Sequence, residues 1–251
     1  MYGKPFGLFI AGTEKNICSM DREQLLGCHR KIYVPENSVL AVVGNNSFED
    51  VVKLAEKFCA GREGEVQGVP NIELQSLKGE ERRGDLQQAN VVLGFHFPTS
   101  CEKERYAAEV FSSILGSGMS SKLFREVREK RGLVYAVKTD LDLGKKYGYL
   151  IIYAGTEKSK VQEVIDICVK EFHAMGKLTK KELDEGKEQV IGNYEVGLEG
   201  SSDTALNLIL EEVSGRAEDF YEYAKNVKKV SLADIKKLAG KADYSSFVLS
   251  P

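Results

Sequence analysis

The chain has 251 residues, of which 42% are hydrophobic and 29% charged, close to the averages for globular proteins. This composition excludes a disordered or fibrous protein, and the length allows one large domain or two smaller ones with a substantial core. The 35 basic and 38 acidic residues give a net charge of −3, which argues against a nucleic-acid or anionic-membrane surface as the main role. No apolar run approaches the roughly 18 residues of a membrane-spanning helix.

The cysteines and the first residues bear on cellular location. The five cysteines are an odd number without Cys-x-x-Cys spacing, so neither a disulfide framework nor a zinc ribbon is predicted. The N-terminal residues lack the basic region and long apolar run of a secretory signal. We therefore expect reduced, mostly buried thiols in a cytoplasmic protein. The cysteines are Cys18, Cys28, Cys59, Cys101 and Cys168.

The first region, residues 1–68, has the pattern of a helix, a strand and a helix. A short helix follows Met20, and the apolar, β-branched run Ser38–Gly44 predicts a buried strand. Ser47 precedes a second helix, Val51–Cys59, whose apolar residues keep helical spacing. These elements are too few for a domain of their own. Glycines and charges interleave in residues 69–86, which we interpret as a linker.

The remaining region, residues 87–251, predicts an α+β domain with helices packed on an antiparallel sheet. It opens with a strand over Gln88–Phe97, followed by Thr99 and Glu102 as a capping box for a helix that ends at Gly116. Pairs with capping-box spacing precede further helices, and neighbouring strands have hairpin-like spacing. The pairs are Ser159/Gln162, Thr179/Glu182 and Ser231/Asp234. The further helices are Lys122–Arg131, Val161–Met175, Lys180–Tyr194, Thr204–Val213, Phe220–Val227 and Leu232–Leu238, and the further strands are Leu133–Val137, Tyr149–Ala154 and Ser246–Leu249.

Motifs for metal or nucleotide chemistry are missing from the sequence. Its three histidines, His29, His96 and His173, do not have the i, i+4 spacing that presents two imidazoles to one metal. We expect His96 on the solvated face of its strand, because it alternates with Phe95 and Phe97. No P-loop and no complete dinucleotide fingerprint occurs. Gly116 and Gly118 are predicted to allow positive φ in a tight turn between two helices.

Arg128 and Tyr135 are the candidate functional residues. Arg128 borders the apolar stripe of its helix, and Tyr135 begins a strand just beyond Gly132. A helix end, a turn and a strand start could bring the two side chains together, where both could donate to a peptide carbonyl. The alternative is that Arg128 pairs with an acidic neighbour and Tyr135 is a half-buried residue of the sheet.

Three stretches of the sequence resemble one family of zinc peptidases. Pro5–Ile17 is similar to a P-x-G…G-T-x-x-x-I stretch, and Tyr33–Gly44 to a Y-x-P-x-N…V-V-G strand. Leu115–Tyr135 is similar to the long signature L-G-G-G-M-S-S-R-L-F…R-E-K-R-G-L-x-Y. The family is that of pitrilysin, insulin-degrading enzyme and mitochondrial processing peptidase, the inverzincins.

The resemblance implies a peptidase built from two α+β halves around a substrate chamber. The upstream half carries His-x-x-Glu-His for zinc, and the second half supplies an arginine and a tyrosine to the substrate. The motif maps that pair onto Arg128 and Tyr135. This chain lacks His-x-x-Glu-His, so residues 1–68 resemble the tail of the metal-binding half and residues 87–251 a complete second half. Alone, the chain is expected to bind no catalytic zinc and to cleave no peptide.

Two functional interpretations follow from the resemblance. The chain is either the substrate-clasping part of a zinc peptidase, separated from its metal-binding part, or an autonomous non-catalytic protein that binds peptides or a partner subunit. The first predicts an exposed apolar face over Val39–Val43 and the helix Val51–Phe58. The second predicts that this face is closed, for instance in a homodimer. In either case, a sheet edge beside Gln88–Phe97 could add a peptide strand.

Overall fold

The computed structural model describes residues 1–60, 64, 66 and 68–251 of the chain. Nine α-helices and five strands are present among these residues. The helices are α1 (Glu14–Cys18), α2 (Arg22–Ile32), α3 (Phe48–Cys59), α4 (Arg105–Gly116), α5 (Val161–Ala174), α6 (Lys180–Gly197), α7 (Ser201–Ser214), α8 (Tyr223–Lys229) and α9 (Leu232–Ala239). The strands are β1 (Lys78–Arg82), β2 (Ala89–His96), β3 (Val134–Leu143), β4 (Gly148–Thr156) and β5 (Ser245–Ser250).

The strands form one sheet in the order β1-β5-β2-β4-β3. The pairs β5–β2, β2–β4 and β4–β3 are antiparallel, and β1 pairs with β5 in parallel. The predicted α+β fold is therefore confirmed, with one parallel pair added. The expectation of a free edge beside Gln88–Phe97 is wrong, because β2 lies between β5 and β4 and both of its edges are paired. The free edges of this sheet belong to β1 and β3.

The core lies between one face of the sheet and the helices α4, α5, α6, α8 and α9. Alternate residues of β2 are fully buried, as expected for a strand that turns one face to the core. Phe95 of β2 stacks on Phe172 of α5 with ring centroids 3.8 Å apart, and Phe111 of α4 lies 5.0 Å from Phe172. The capping boxes of Thr179 with Glu182 and of Ser231 with Asp234 start α6 and α9 as predicted.

Several predicted element boundaries are wrong. Thr99 does bond Glu102, but α4 begins only at Arg105 and has no side-chain cap. The Ser159/Gln162 pair caps nothing, because α5 begins at Val161 after a 3₁₀ turn. The predicted helix Lys122–Arg131 is largely a π-helix over Phe124–Glu129.

Residues 1–60 have almost no core of their own. Val34 is the one hydrophobic residue among the described residues before Ala89 that is buried. The predicted strand Ser38–Gly44 does not form, because no described segment lies beside it to pair its backbone. Eight large apolar side chains between residues 39 and 58 are exposed, and we call them the apolar surface of residues 39–58. They are Val39, Leu40, Val42, Val43, Phe48, Val52, Leu54 and Phe58.

The first residues of the chain pack on the sheet face opposite the helices. Tyr2 donates from its hydroxyl to the carbonyl of Gly148 at 2.8 Å, and its ring meets that of His96 edge to face. A β-bridge between Tyr2 and Leu74 joins these first residues to residues 73–75. His96 is therefore partly covered, contrary to the expectation that it faces solvent, and its Nε2 lies 3.1 Å from the carbonyl oxygen of Gln75.

The predicted linker and the cysteines also differ from expectation. Residues 69–86 contain β1, which pairs with β5 and thereby joins the sheet. The expectation of mostly buried thiols is wrong, since Cys168 is buried and the other four cysteines are exposed. All five thiols are free. Within the described ranges, no helix combines the length and the apolar character that a membrane crossing requires.

Candidate functional site

The candidate site is a corner where the π-helix ends and β3 begins. The chain reverses through Gly132, whose φ of +60° lies in the left-handed region that glycine adopts without strain. The amide of Gly132 donates to the carbonyl of Arg128 at 3.0 Å, and the amide of Leu133 donates to the carbonyl of Val127 at 3.1 Å. Val127 and Leu133 are buried in the main core. The corner is therefore fixed to the rigid part of the domain.

Arg128 is exposed, and its guanidinium lies over the ring of Phe124, 4.9 Å from the ring centroid. Such a contact orients a guanidinium without neutralising its charge. Among the described residues no carboxylate pairs with Arg128, so the predicted acidic neighbour is not seen there. Its hydrogen-bond donors remain open to a ligand.

Tyr135 projects from an irregularity in β3. In the pairing of β3 with β4, Val134 lies opposite Thr156 and Ala136 opposite Gly155, which leaves Tyr135 without a partner in the ladder. This extra residue is a β-bulge, a feature that re-aims side chains and is common near functional sites. Tyr135 is 63% exposed, so it is not the half-buried residue of the alternative prediction.

Two carboxylates near the corner are paired with neighbouring cations. Glu126 accepts from Lys130 and from Arg131, and these partners lower the pKa of its carboxyl to about 2. Lys122 is bonded to Glu182 at 2.6 Å, which lowers the pKa of that carboxyl to about 2 as well. Among the described residues of the π-helix, Arg125 is the other exposed cation besides Arg128.

The loop before the corner depends on two glycines for different reasons. Gly118 has a φ of +81°, as predicted for the turn between helices. Gly116 does not have positive φ, so that part of the prediction is wrong. Its backbone instead packs against β3, where an added Cβ would lie 2.4 Å from Cγ2 and 2.7 Å from the backbone nitrogen of Thr139.

The described residues do not fit a zinc site. No group of three or more His, Cys, Asp or Glu side chains among them is arranged to hold a metal ion. His29 stacks on Tyr33, and Nδ1 of His173 lies 2.9 Å from the carbonyl oxygen of Ala239. The three imidazoles therefore lie in separate parts of the structure.

A second polar cluster lies where α4 meets α7 and α8. Arg105 is bonded to Glu211 at 2.6 Å and to the hydroxyl of Tyr106 at 2.6 Å, beside a cavity of about 800 Å³. The hydroxyl of Tyr223 donates to Glu109, whose pKa is raised to about 7, chiefly by burial. These side chains satisfy one another, so they leave no free donor pair like that of the corner.

The sequence predicted Arg128 and Tyr135 as candidate residues, but it did not predict the features that support them. The ring of Phe124 under Arg128 and the bulge at Tyr135 were not predicted. A signal for the bulge was present, because the inward-facing residues Val134 and Val137 are three positions apart, whereas a regular strand requires an even spacing.

Comparisons with known proteins agree on the fold. Residues 19–190 match the family described as Peptidase M16 inactive domain. An uncharacterized zinc protease of Mycobacterium tuberculosis is 29% identical over 266 residues, covering 98% of this chain and 59% of that protein. The structure of a peptidase M16 inactive domain from Pseudomonas fluorescens aligns with a TM-score of 0.91 and 21% identity, covering 100% of this chain and 63% of that one.

A protease structure from Helicobacter pylori aligns with a TM-score of 0.83 and 20% identity. That alignment covers 96% of this chain and 61% of the other. The chain thus spans about three fifths of the length of these relatives.

Proposed function

The chain belongs to the Peptidase M16 inactive-domain family, and on that premise we propose that it is the substrate-binding part of a zinc metallopeptidase that acts on peptides or unfolded polypeptides. Membership confirms the family resemblance of Leu115–Tyr135. In this proposal the chain is catalytically incompetent alone, and the zinc and the attacking water belong to a separate metal-binding half or subunit.

The observation that carries the proposal is the pair of unoccupied donors at the corner. Arg128 and Tyr135 are both exposed, and neither has a polar side-chain partner among the described residues. Both are attached to backbone that the core holds rigidly, so little order has to be gained on binding. A guanidinium and a phenol together can bind a peptide carbonyl and stabilise negative charge that develops on its oxygen.

The free edge of β3 supports an extended peptide as the ligand. In the described part of the chain nothing pairs with the outer edge of β3, which runs on from Tyr135 to Leu143. Backbone groups on such an edge bind an added strand, while neighbouring side chains read its sequence. We therefore assign strand addition to β3, in place of the edge beside Gln88–Phe97.

The apolar surface of residues 39–58 supports the need for a partner. Leu40 and Phe58 are 68% and 71% exposed, and a large amount of exposed apolar surface marks an interface. We assign the metal-binding half as the protein that covers it. The alternative function is an autonomous, non-catalytic peptide-binding subunit, for which a second copy of the chain would cover the same surface.

The proposal is tested by binding of a fluorescein-labelled, reduced and carboxymethylated polypeptide, measured by fluorescence anisotropy. Tyr135→Phe removes one donor and is expected to weaken binding about threefold to tenfold, with little change in thermal stability. Tyr221→Phe is the matched control, because Tyr221 is a similarly exposed tyrosine elsewhere. Equal binding by the native chain and Tyr135→Phe would contradict the proposal.

Zinc content and cleavage of the same polypeptide by the chain alone complete the test. We expect no stoichiometric zinc and no cleavage. Tight binding of one zinc per chain with chelator-sensitive cleavage would overturn the assignment of this chain to the non-metal half. Sedimentation equilibrium separates the two functions, since a stable homodimer favours the alternative and a monomer favours the separate metal-binding half.

A further inference from the structure

Thr156 lies beneath the corner and is the last residue of β4. It is completely buried, and its hydroxyl donates to the carbonyl of Leu133. In the ladder it lies opposite Val134, the last residue before the bulge. A buried threonine at this position has no exposed group of its own, so any role in binding is exerted through the backbone that it holds.

The peptide groups of Leu133 connect the two candidate donors. The amide of Leu133 donates to the carbonyl of Val127 in the π-helix, next to Arg128. The carbonyl of Leu133, which lies two residues before Tyr135, accepts a hydrogen bond from the hydroxyl of Thr156. Leu133 is therefore fixed on one side to the helix that carries Arg128 and on the other to the sheet that carries Tyr135.

We propose that Thr156 is a positioning residue, which sets the distance and the relative orientation of Arg128 and Tyr135 by holding the carbonyl of Leu133. This inference rests on the proposed function. The bulge needs such support because an unpaired residue leaves the ladder locally disrupted. Without the hydroxyl, the start of β3 is free to shift, and Tyr135 no longer meets the same carbonyl as Arg128.

The test compares Thr156→Val with Thr156→Ser in the anisotropy assay, at a temperature where circular dichroism shows each variant to be folded. The valine keeps the volume but removes the donor, and the serine keeps the donor. We expect Thr156→Val to weaken polypeptide binding about threefold to tenfold and Thr156→Ser to restore most of it. If Thr156→Val does not fold, Thr156→Cys replaces it as a variant of similar size with a weaker donor.

Thr204→Val is the matched control. The hydroxyl of Thr204 on α7, outside the corner and outside β3, donates to the carbonyl of Leu198 at 3.2 Å. Its loss is expected to lower stability and leave binding unchanged. In a Tyr135→Phe background, Thr156→Val is expected to weaken binding less than it does in the native chain, because the two residues act together.

Two outcomes overturn the inference, and they differ in whether the proposed function survives. If Tyr135→Phe weakens binding while Thr156→Val lowers only the melting temperature, Thr156 is a structural residue and the proposed function stands. If neither Tyr135→Phe nor Thr156→Val changes binding, the proposed function fails and the positioning role fails with it.

Discussion

The guanidinium of Arg128 is positioned by an aromatic ring rather than by a carboxylate. Glu126 pairs with Lys130 and Arg131 and leaves Arg128 unneutralised. The ring of Phe124 restricts the guanidinium plane and leaves its fork of donors accessible. A residue arranged in this way keeps its charge for a ligand, whereas an ion-paired arginine would first have to lose its partner.

Arg128→Lys is therefore expected to weaken polypeptide binding, although it retains the positive charge. An ammonium lacks the planar fork and the stacking of a guanidinium, and we expect about a threefold to tenfold rise in Kd. Arg125→Lys, on the same π-helix, serves as the control and is expected to bind as the native chain does. Equal affinities of Arg128→Lys and Arg125→Lys in the anisotropy assay would mean that charge alone matters.

Gly116 and Gly192 are expected to respond in opposite ways to alanine. At Gly116 the new Cβ would meet the backbone nitrogen of Thr139 at 2.7 Å, and overpacking of this kind costs about 1–3 kcal/mol. Gly192 lies inside α6 with nothing within 4 Å of an added Cβ, so Gly192→Ala is expected to gain about 0.5–1 kcal/mol. Urea unfolding of the two variants measures both changes. Gly116→Ala with native stability would show that α4 can move away from β3.

At the scale of elements, a polar cluster links α4 to α7 and α8. Arg105 on α4 pairs with Glu211 on α7, and Glu109 on α4 accepts from Tyr223 on α8. α7 contributes no buried residue to the core. These polar links, together with its packing on the turn Ala217–Glu222, therefore hold α7 in place.

The raised pKa of Glu109 predicts a loss of stability as the pH increases. Its carboxyl holds a proton in the folded chain up to about pH 7, whereas the ordinary value is 4.5. The stabilisation is therefore complete below about pH 4.5 and disappears as the pH rises through 7. Because the side chain of Glu109 keeps some exposure, we expect the free energy of unfolding to fall by about 1–2 kcal/mol between pH 5 and pH 8.

Glu109→Gln should abolish most of this pH dependence, as urea unfolding at pH 5 and pH 8 would reveal. Glu126 and Glu182 do not interfere, since their pKa values are lowered and they lose stabilisation only when the pH falls below about 4.5. An identical pH profile for the native chain and Glu109→Gln would show that Glu109 is ionised in the folded protein.

Elements that depend on local pattern were predicted well, and those that depend on distant partners were not. The helices α5, α6 and α9 follow from apolar spacing, within a residue or a few at their ends. The run Ser38–Gly44 has a strand pattern, yet a strand forms only beside another. The strand β1 was not predicted, because its sequence is charged and lacks a strand pattern. It forms a strand because β5 lies beside it and pairs with it. At the candidate site, side-chain type suggested Arg128 and Tyr135, whereas the contact of Phe124 with Arg128 and the bond of Thr156 to Leu133 depend on geometry that spacing alone did not reveal.

At the scale of the whole chain, burial is strongly asymmetric. The core cluster runs from Val91 to Ala239, and residues 1–60 contribute nothing to it. Segments with few buried contacts open at little cost in free energy. The family relatives extend well beyond this chain in length, which fits our proposal that another protein unit stabilises residues 39–58.

Hydrogen–deuterium exchange measured by mass spectrometry tests this asymmetry. We expect peptides from residues 7–60 to exchange within seconds to minutes and those from β2, β4 and α4 to remain protected for hours. Addition of the metal-binding half should slow exchange over residues 39–58. Slow exchange there in the isolated, monomeric chain would show that the segment is stable without a cover.

The position of β5 has a consequence for how the chain acquires its structure during synthesis. This strand is formed by residues 245–250, yet it is inserted between β1 and β2, whose residues are made more than a hundred positions earlier. Long-range pairing of this kind is slow and comes late. Until residues 245–250 have been made, β2 has one open side and β1 has no partner in the sheet. The nascent chain therefore exposes a gap of one strand's width, which β5 later fills.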